Sequence, residues 1–150
     1  MADSKDSYSC LKLENQLCFP LYACAKEVVR NYKPFLDELD LTYTQYITMM
    51  VLWDKKEMNV KEIGKCLYLD SGTLTPLLKK LESKGYIERH RSKEDERNLL
   101  IRITKEGEEL KKQAQTVPER MGKCIDLSDA EAKELYTLLY KVLKKFHEED

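Results

Sequence analysis

At 150 residues, 42% hydrophobic and 35% charged, the sequence is long enough for one cored domain, with or without dimerising extensions. It has no apolar run of membrane-span length, and its Met1-Ala2-Asp3-Ser4-Lys5 start has no signal-peptide core, so a cytoplasmic protein with no membrane role is expected. The net charge of −1 is unevenly spread: residues 1–54 carry 5 basic and 8 acidic side chains, 55–105 carry 13 and 8, and 106–150 carry 8 and 11, so a +5 middle third lies between two thirds of −3, the footprint of phosphate contact.

In chain order, residues 1 to about 10 are polar and expected to fray. From Leu11 to Tyr32 the pattern is mostly helical, and too apolar for a helix with one exposed face, which points to burial at a subunit interface. Pro20 lacks an N–H and belongs in a first turn or at a kink, so Cys18 sits just before a helix start or beside a break. Helix N-terminal N–H groups favour a thiolate, which makes that placement chemically relevant. Pro34 is expected to end this helix, with residues 35–39 forming a further short turn. Thr42-Tyr43-Thr44-Gln45 is a capping-box signal for a helix whose inward face is read as Ile47, Met50, Val51 and Trp53.

Asn59-Val60-Lys61-Glu62 opens another short helix with Ile63, Cys66 and Leu67 on its apolar side. Asp70 or Ser71 can cap the next. There Leu74, Leu77, Leu78 and Leu81 fall at i, i+3, i+4 and i+7 and face inward. The opposite face carries Gly72, Pro76, Lys79 and Ser83, flanked by Thr73, Thr75 and Lys80. Small hydroxyls near a helix start, followed by lysines, suit entry into a DNA major groove. Lys84-Gly85 stops the helix, and residues 86–91 and 99–103 read as two strands around the polar tip 92–98. Helix, turn, helix, hairpin is a winged helix-turn-helix. The expected DNA-binding set is Ser71, Thr73, Thr75, Pro76, Lys79, Lys80, Arg89, Arg91, Asp95 and Arg97.

Thr104 caps a helix running towards Gly122 and interrupted near Pro118. Ser128-Asp129-Ala130-Glu131 is a capping box opening a last helix with Leu135, Leu138, Leu139, Val142 and Phe146 on one face. A partner chain is the expected cover for that stripe. The five cysteines form no CxxC pair and no zinc-ligand spacing, so neither metal nor cofactor is expected. An odd number of thiols argues against a disulfide framework; Cys24 and Cys66 are read as small buried residues.

Four motifs resemble the MarR family of bacterial transcription regulators, in its branch that senses organic hydroperoxides: Leu17-Cys18-Phe19, Leu41 through Tyr46, Leu67 through Leu78, and Asp95-Glu96-Arg97. The resemblance covers most of residues 13–105, and only the pattern matches thereafter. It implies a mainly α fold with a small β-hairpin, a single domain over 1–150. Residues 41–105 would form the winged helix-turn-helix, and 11–40 and 106–150 would intertwine with a second copy. It implies a homodimeric repressor on double-stranded operator DNA, with Arg97 in or near the minor groove and Asp95 available to hold it. It also implies that Cys18 is the peroxide-reactive thiol, that Tyr32 and Tyr43 hydrogen-bond its thiolate, with Tyr22 one helical turn away, and that Cys124 is a candidate resolving thiol from the other subunit. Lys123 beside Cys124 and the breakable stretch between Pro118 and the last helix fit that role. The chain departs from the family pattern at Pro20, where a small residue is usual, and in having Cys24, which could compete as a thiol partner of Cys18.

Two regulatory alternatives stand beside this reading: release of DNA by a small phenolic ligand, and a one-cysteine sensor forming a mixed disulfide with a low-molecular-weight thiol. A thiol peroxidase would use Cys18 but has no need of the Asn59–Ile103 unit, so an enzyme is not expected.

Overall fold

A computed structural model describes residues 7–148. Among them are seven α-helices and a small antiparallel sheet. The helices are α1 (Cys18–Asp37), α2 (Tyr43–Lys55), α3 (Val60–Leu67), α4 (Ser71–Ser83), α5 (Lys105–Ala114), α6 (Val117–Ile125) and α7 (Asp129–Phe146). The strands β1 (Glu57–Asn59), β2 (Ile87–Arg91) and β3 (Leu99–Ile103) lie in the order β1-β3-β2. The chain divides between Val117 and Pro118 into two compact units.

The first six residues of the expected frayed start lie outside the described residues; Ser9–Leu11 and Leu13–Asn15 are short 3₁₀ turns rather than frayed chain or α-helix. Gln16 and Asn15 donate side-chain hydrogen bonds to the carbonyls of Cys10 and Ser9, both at 2.7 Å. That local bonding competes with α-helix and delays α1 until Cys18. Pro20 falls in the first turn of α1, where its missing N–H is no loss. Pro34 does not end the helix, contrary to the sequence expectation. It sits inside α1, which continues through Phe35 and Leu36 to Asp37 because Leu36 is anchored in the core. The cost of the lost bond to the carbonyl four residues back falls on an exposed face.

Thr42 closes a full capping box with Gln45, the two bonds measuring 3.3 and 3.0 Å. The buried face of α2 is Tyr46, Met49, Leu52 and Trp53, not the one expected from Ile47, Met50 and Val51. Met50 is exposed, and Ile47 and Val51 are half-buried. The helix is apolar on both sides of its stripe, so periodicity alone misplaces the face by one position.

β1 is absent from the sequence reading. Three residues are too few for a period-two signal, and pairing with β3 (Glu57 opposite Arg102, Asn59 opposite Leu100) is what makes them a strand. The break expected at Pro118 lies earlier, at Gln115 and Thr116; Pro118 occupies the first turn of α6, which proline tolerates.

The core of the first unit joins Leu36, Leu41, Met49, Leu52, Ile63 and the four leucines of α4 with Ile87 and Ile101 of the sheet. Gly107 is required where α5 meets the wing base, since a Cβ there would lie 2.3 Å from the Tyr86 carbonyl oxygen. No residue of α7 is buried within the chain, and Leu135, Leu138, Val142 and Phe146 are exposed. Leu11, Leu13, Leu17, Phe19 and Val29 in and before α1 are exposed as well. Among the described residues no helix is long and apolar enough to cross a membrane.

Candidate nucleic-acid interface and thiol site

α3 and α4 meet through a tight turn. Asn59 caps α3 by accepting from the Glu62 backbone N–H at 2.8 Å, and Tyr68 ends it in the left-handed region at φ 55°. Gly64 is needed beneath that turn, because a Cβ would lie 2.7 Å from the Leu69 carbonyl oxygen. Asp70, rather than Ser71, caps α4: its carboxylate accepts from the Thr73 N–H at 2.8 Å, and that backbone bond holds the carboxyl below its ordinary value. With Leu74, Leu77, Leu78 and Leu81 buried, the other side of α4 presents Ser71, Thr73, Thr75, Pro76, Lys79 and Lys80 to solvent. Thr75 donates its hydroxyl to the Ser71 carbonyl at 2.8 Å. Pro76 has no N–H to give the Gly72 carbonyl four residues back.

The wing tip is closed by its own bonds. Ser92 N–H donates to the Asn98 carbonyl at 2.9 Å, Asn98 N–H to the Asp95 carbonyl at 3.0 Å, and Arg91 Nη1 to the Glu96 carbonyl at 2.7 Å. Asp95 accepts from the backbone N–H of Arg97 at 3.0 Å, so its carboxylate shapes the turn. Arg97 and Lys93 are exposed. Arg89 is turned towards Glu82 of α4, and Arg91 towards the tip backbone. Arg89 is half-buried and Arg91 exposed.

Sequence reasoning missed Glu82, whose importance depends on a contact seven residues away, and Glu57, which accepts from Arg102 Nε at 2.6 Å across the sheet. The Glu57–Arg102 pair follows from the β1–β3 register and becomes visible only once β1 is known.

Cys18 is the first residue of α1 and is exposed. Tyr22 lies one turn further on, exposed, with the Lys26 ammonium 5.2 Å from its ring centre. Tyr32 and Tyr43 are brought together from α1 and α2, their ring centres 4.9 Å apart, with Tyr46 at 5.8 and 6.4 Å. Burial pushes the phenols of Tyr32 and Tyr43 up, and that of Tyr46 up to about 12. Cys18 and Tyr32 share one continuous helix. The 14 residues from position 18 to position 32 span ~21 Å at the α-helical rise, so Tyr32 and the neighbouring Tyr43 cannot reach the thiol of their own chain.

Cys124 is exposed in α6 of the second unit, and its neighbour Lys123 pairs with Glu119 at 3.5 Å. Cys24 and Cys66 are exposed, not buried as expected. Cys24 lies on the part of α1 that the chain itself leaves uncovered, and Ile63 and Gly64 take the inward side of α3 from Cys66. Among the described residues no group of His, Cys, Asp and Glu is placed to hold a metal ion.

The family model of the transcriptional regulators SarA/Rot matches residues 30–114. The chain is 44% identical over 146 residues to the organic hydroperoxide resistance transcriptional regulator of Bacillus subtilis, covering 97% of this chain and 99% of that one. A structure of reduced AbfR bound to DNA superposes with a TM-score of 0.74 at 34% identity, covering 91% of this chain and 95% of that one. A disulfide form of AbfR, a Staphylococcus epidermidis protein, superposes at 0.62 with 34% identity, covering 92% and 94%. With a winged helix-turn-helix in place, an exposed thiol at the head of α1 and these relatives over nearly its whole length, the chain belongs to the MarR-type winged-helix transcriptional regulators, in the SarA/Rot family.

Proposed function

We propose that the protein is a homodimeric, cytoplasmic repressor that binds double-stranded operator DNA and releases it when organic hydroperoxide oxidises Cys18. The observation carrying this reading is the position of Cys18: exposed at the start of α1, a helix length from the paired phenols of Tyr32 and Tyr43. A second copy can bring its own Tyr32 and Tyr43 to that thiol. The uncovered apolar faces of α1 and α7 supply the surface on which two copies meet. On this reading residues 11–40 and 106–150 are the dimerisation elements, and 41–105 the DNA-binding unit.

In the sensing step the Cys18 thiolate attacks one peroxide oxygen, the O–O bond breaks, the alcohol leaves with a proton, and a sulfenic acid remains on Cys18. Tyr32 and Tyr43 of the facing copy donate to the sulfur, and Tyr22 of the same chain adjoins it. The Cys124 thiolate of the facing copy then attacks the sulfenic sulfur, an S–S bond forms, and the oxygen leaves as water. On the DNA side, Ser71, Thr73, Thr75 and Pro76 lie at the groove-entering end of α4, with Lys79 and Lys80 behind them and Arg97 at the wing tip.

The test is non-reducing electrophoresis with mass spectrometry of each cysteine after organic hydroperoxide. The reading expects a disulfide-linked dimer joining Cys18 to Cys124 that is lost in either Cys18→Ser or Cys124→Ser. A monomer carrying a small-thiol adduct on Cys18 would replace Cys124 as the resolving group. No modification of Cys18 at all would overturn the sensor. Steady peroxide consumption with excess reductant would mark an enzyme instead.

A further inference from the structure

We propose that Trp53 is a positioning residue that ties the tyrosine cluster to the base of the wing, so that α2 carries the redox signal to the DNA-binding surface. The inference rests on the sensing role proposed for Cys18.

α2 is an uninterrupted helix with Tyr43 as its first residue and Trp53 near its other end, ~15 Å along the axis. At the first end, Tyr43 contacts Tyr32, and both adjoin Tyr46. Tyr46 meets Trp53 edge to face, with ring centres 6.3 Å apart. At the far end the buried Trp53 indole N–H donates to the Gly107 carbonyl at 2.8 Å. The same end is bound twice more to the stretch that leaves the wing. Ile103 N–H of β3 donates to the Lys56 carbonyl at 2.9 Å, and the Lys56 ammonium pairs with Glu108 of α5.

Gly107 is itself wedged against the wing base. The space its missing Cβ leaves is filled by the Tyr86 carbonyl and Ile103, and Thr104 donates to Tyr86 and Gly85 at 3.0 and 2.6 Å. A rigid helix thus joins the phenols to the β3–α5 junction, without a soft segment between. A displacement of Tyr43 must either move that junction or break the Trp53 bond. Because close-packed interiors do not deform continuously, the first outcome is favoured.

The experiment uses the full-length protein and Trp53→Phe, which keeps a ring and loses the N–H. Operator affinity is measured before and after organic hydroperoxide, with Cys18 oxidation followed in parallel by mass spectrometry. The variant is expected to bind operator within about threefold of wild type when reduced and to oxidise Cys18 equally fast. Its loss of affinity on oxidation should be about fivefold smaller than in wild type, the size of one hydrogen bond's share of the coupling.

Trp53 is the sole tryptophan, so its emission in the wild type should change on Cys18 oxidation. That arm decides the matter if the variant fails to fold. Equal weakening of the variant in both redox states would mark a purely structural role and overturn the inference. So would an undiminished switch, or wild-type emission that does not respond. A wild type that keeps its DNA although Cys18 is oxidised would instead overturn the sensing reading, and this inference with it.

Discussion

Glu82 near the end of α4 grips Arg89 of β2 twice, accepting from its guanidinium Nη2 at 3.0 Å and from its backbone N–H at 3.2 Å. The hydrogen bond from the Arg89 side chain holds the Glu82 carboxyl below its ordinary value. The grip ties the C-terminal part of α4 to the first strand of the wing. Its stabilisation is fully present above the ordinary carboxylate value and fades as pH falls towards the lowered one. The Glu82 side chain is 38% exposed, so solvent screens the pair, and Arg89→Ala should cost about 1 kcal/mol, or ~3 °C in Tm, by calorimetry. Operator binding should weaken with an unchanged salt slope, since Arg89 acts by placing the wing. A salt slope that falls by about one would assign Arg89 a phosphate contact instead.

Residues proposed to touch the DNA should behave differently. Lys79→Ala should weaken binding and flatten the salt dependence by about one counterion, and Arg97→Ala should cost about 1–3 kcal/mol, in the range of a good groove contact. Anisotropy titrations on operator DNA at several salt concentrations separate these effects. Unchanged affinity in both variants would move the interface elsewhere.

The buried phenol of Tyr46 sets an alkaline limit. Desolvation raises it to about 12 from 10.0, so the unfolded chain ionises first. The stability it contributes is complete below pH 10.0 and is lost as pH rises towards about 12. In Tyr46→Phe the stability curve should lose part of its fall over that window. An identical alkaline limb in both proteins would show that another group governs it.

Subunit mixing tests the geometry of the thiol site. A heterodimer of one Cys18→Ser chain and one Tyr32→Phe/Tyr43→Phe chain retains one thiol facing intact phenols only if the phenols come from the opposite copy. Its single Cys18 should oxidise at the wild-type rate, whereas the Tyr32→Phe/Tyr43→Phe homodimer should be slower. A heterodimer as slow as that homodimer would place the phenols in the same chain, against the ~21 Å separation along α1.

The legible parts of the chain were those written in local chemistry. Thr42 with Gln45 and Ser128 with Glu131 are reciprocal caps, and each opened a helix where its spacing required. The four leucines of α4 are legible because they recur at i, i+3, i+4 and i+7, with Thr75, Pro76, Lys79 and Lys80 at the positions between. What escaped depends on distant partners. Local rules penalise Pro34 and make it a stop, whereas tertiary anchoring by Leu36 carries α1 past it. β1 exists through its pairing with β3, and the Trp53–Gly107 bond joins residues 54 positions apart. Cys24 and Cys66 look like core residues by type, yet the chain alone leaves both exposed. Cys18 and Cys124 are likewise exposed, and their proposed roles rest on placement and kinship.

Operator affinity of wild type and Cys18→Ser, measured with and without organic hydroperoxide, tests the central claim most directly. Replacing one sulfur by oxygen at the exposed head of α1 should leave reduced-state binding unchanged. On oxidation the wild type should lose affinity by about 5- to 150-fold, the span of typical allosteric coupling, while Cys18→Ser should stay bound. A Cys18→Ser protein that leaves its operator at the wild-type peroxide dose would contradict the account.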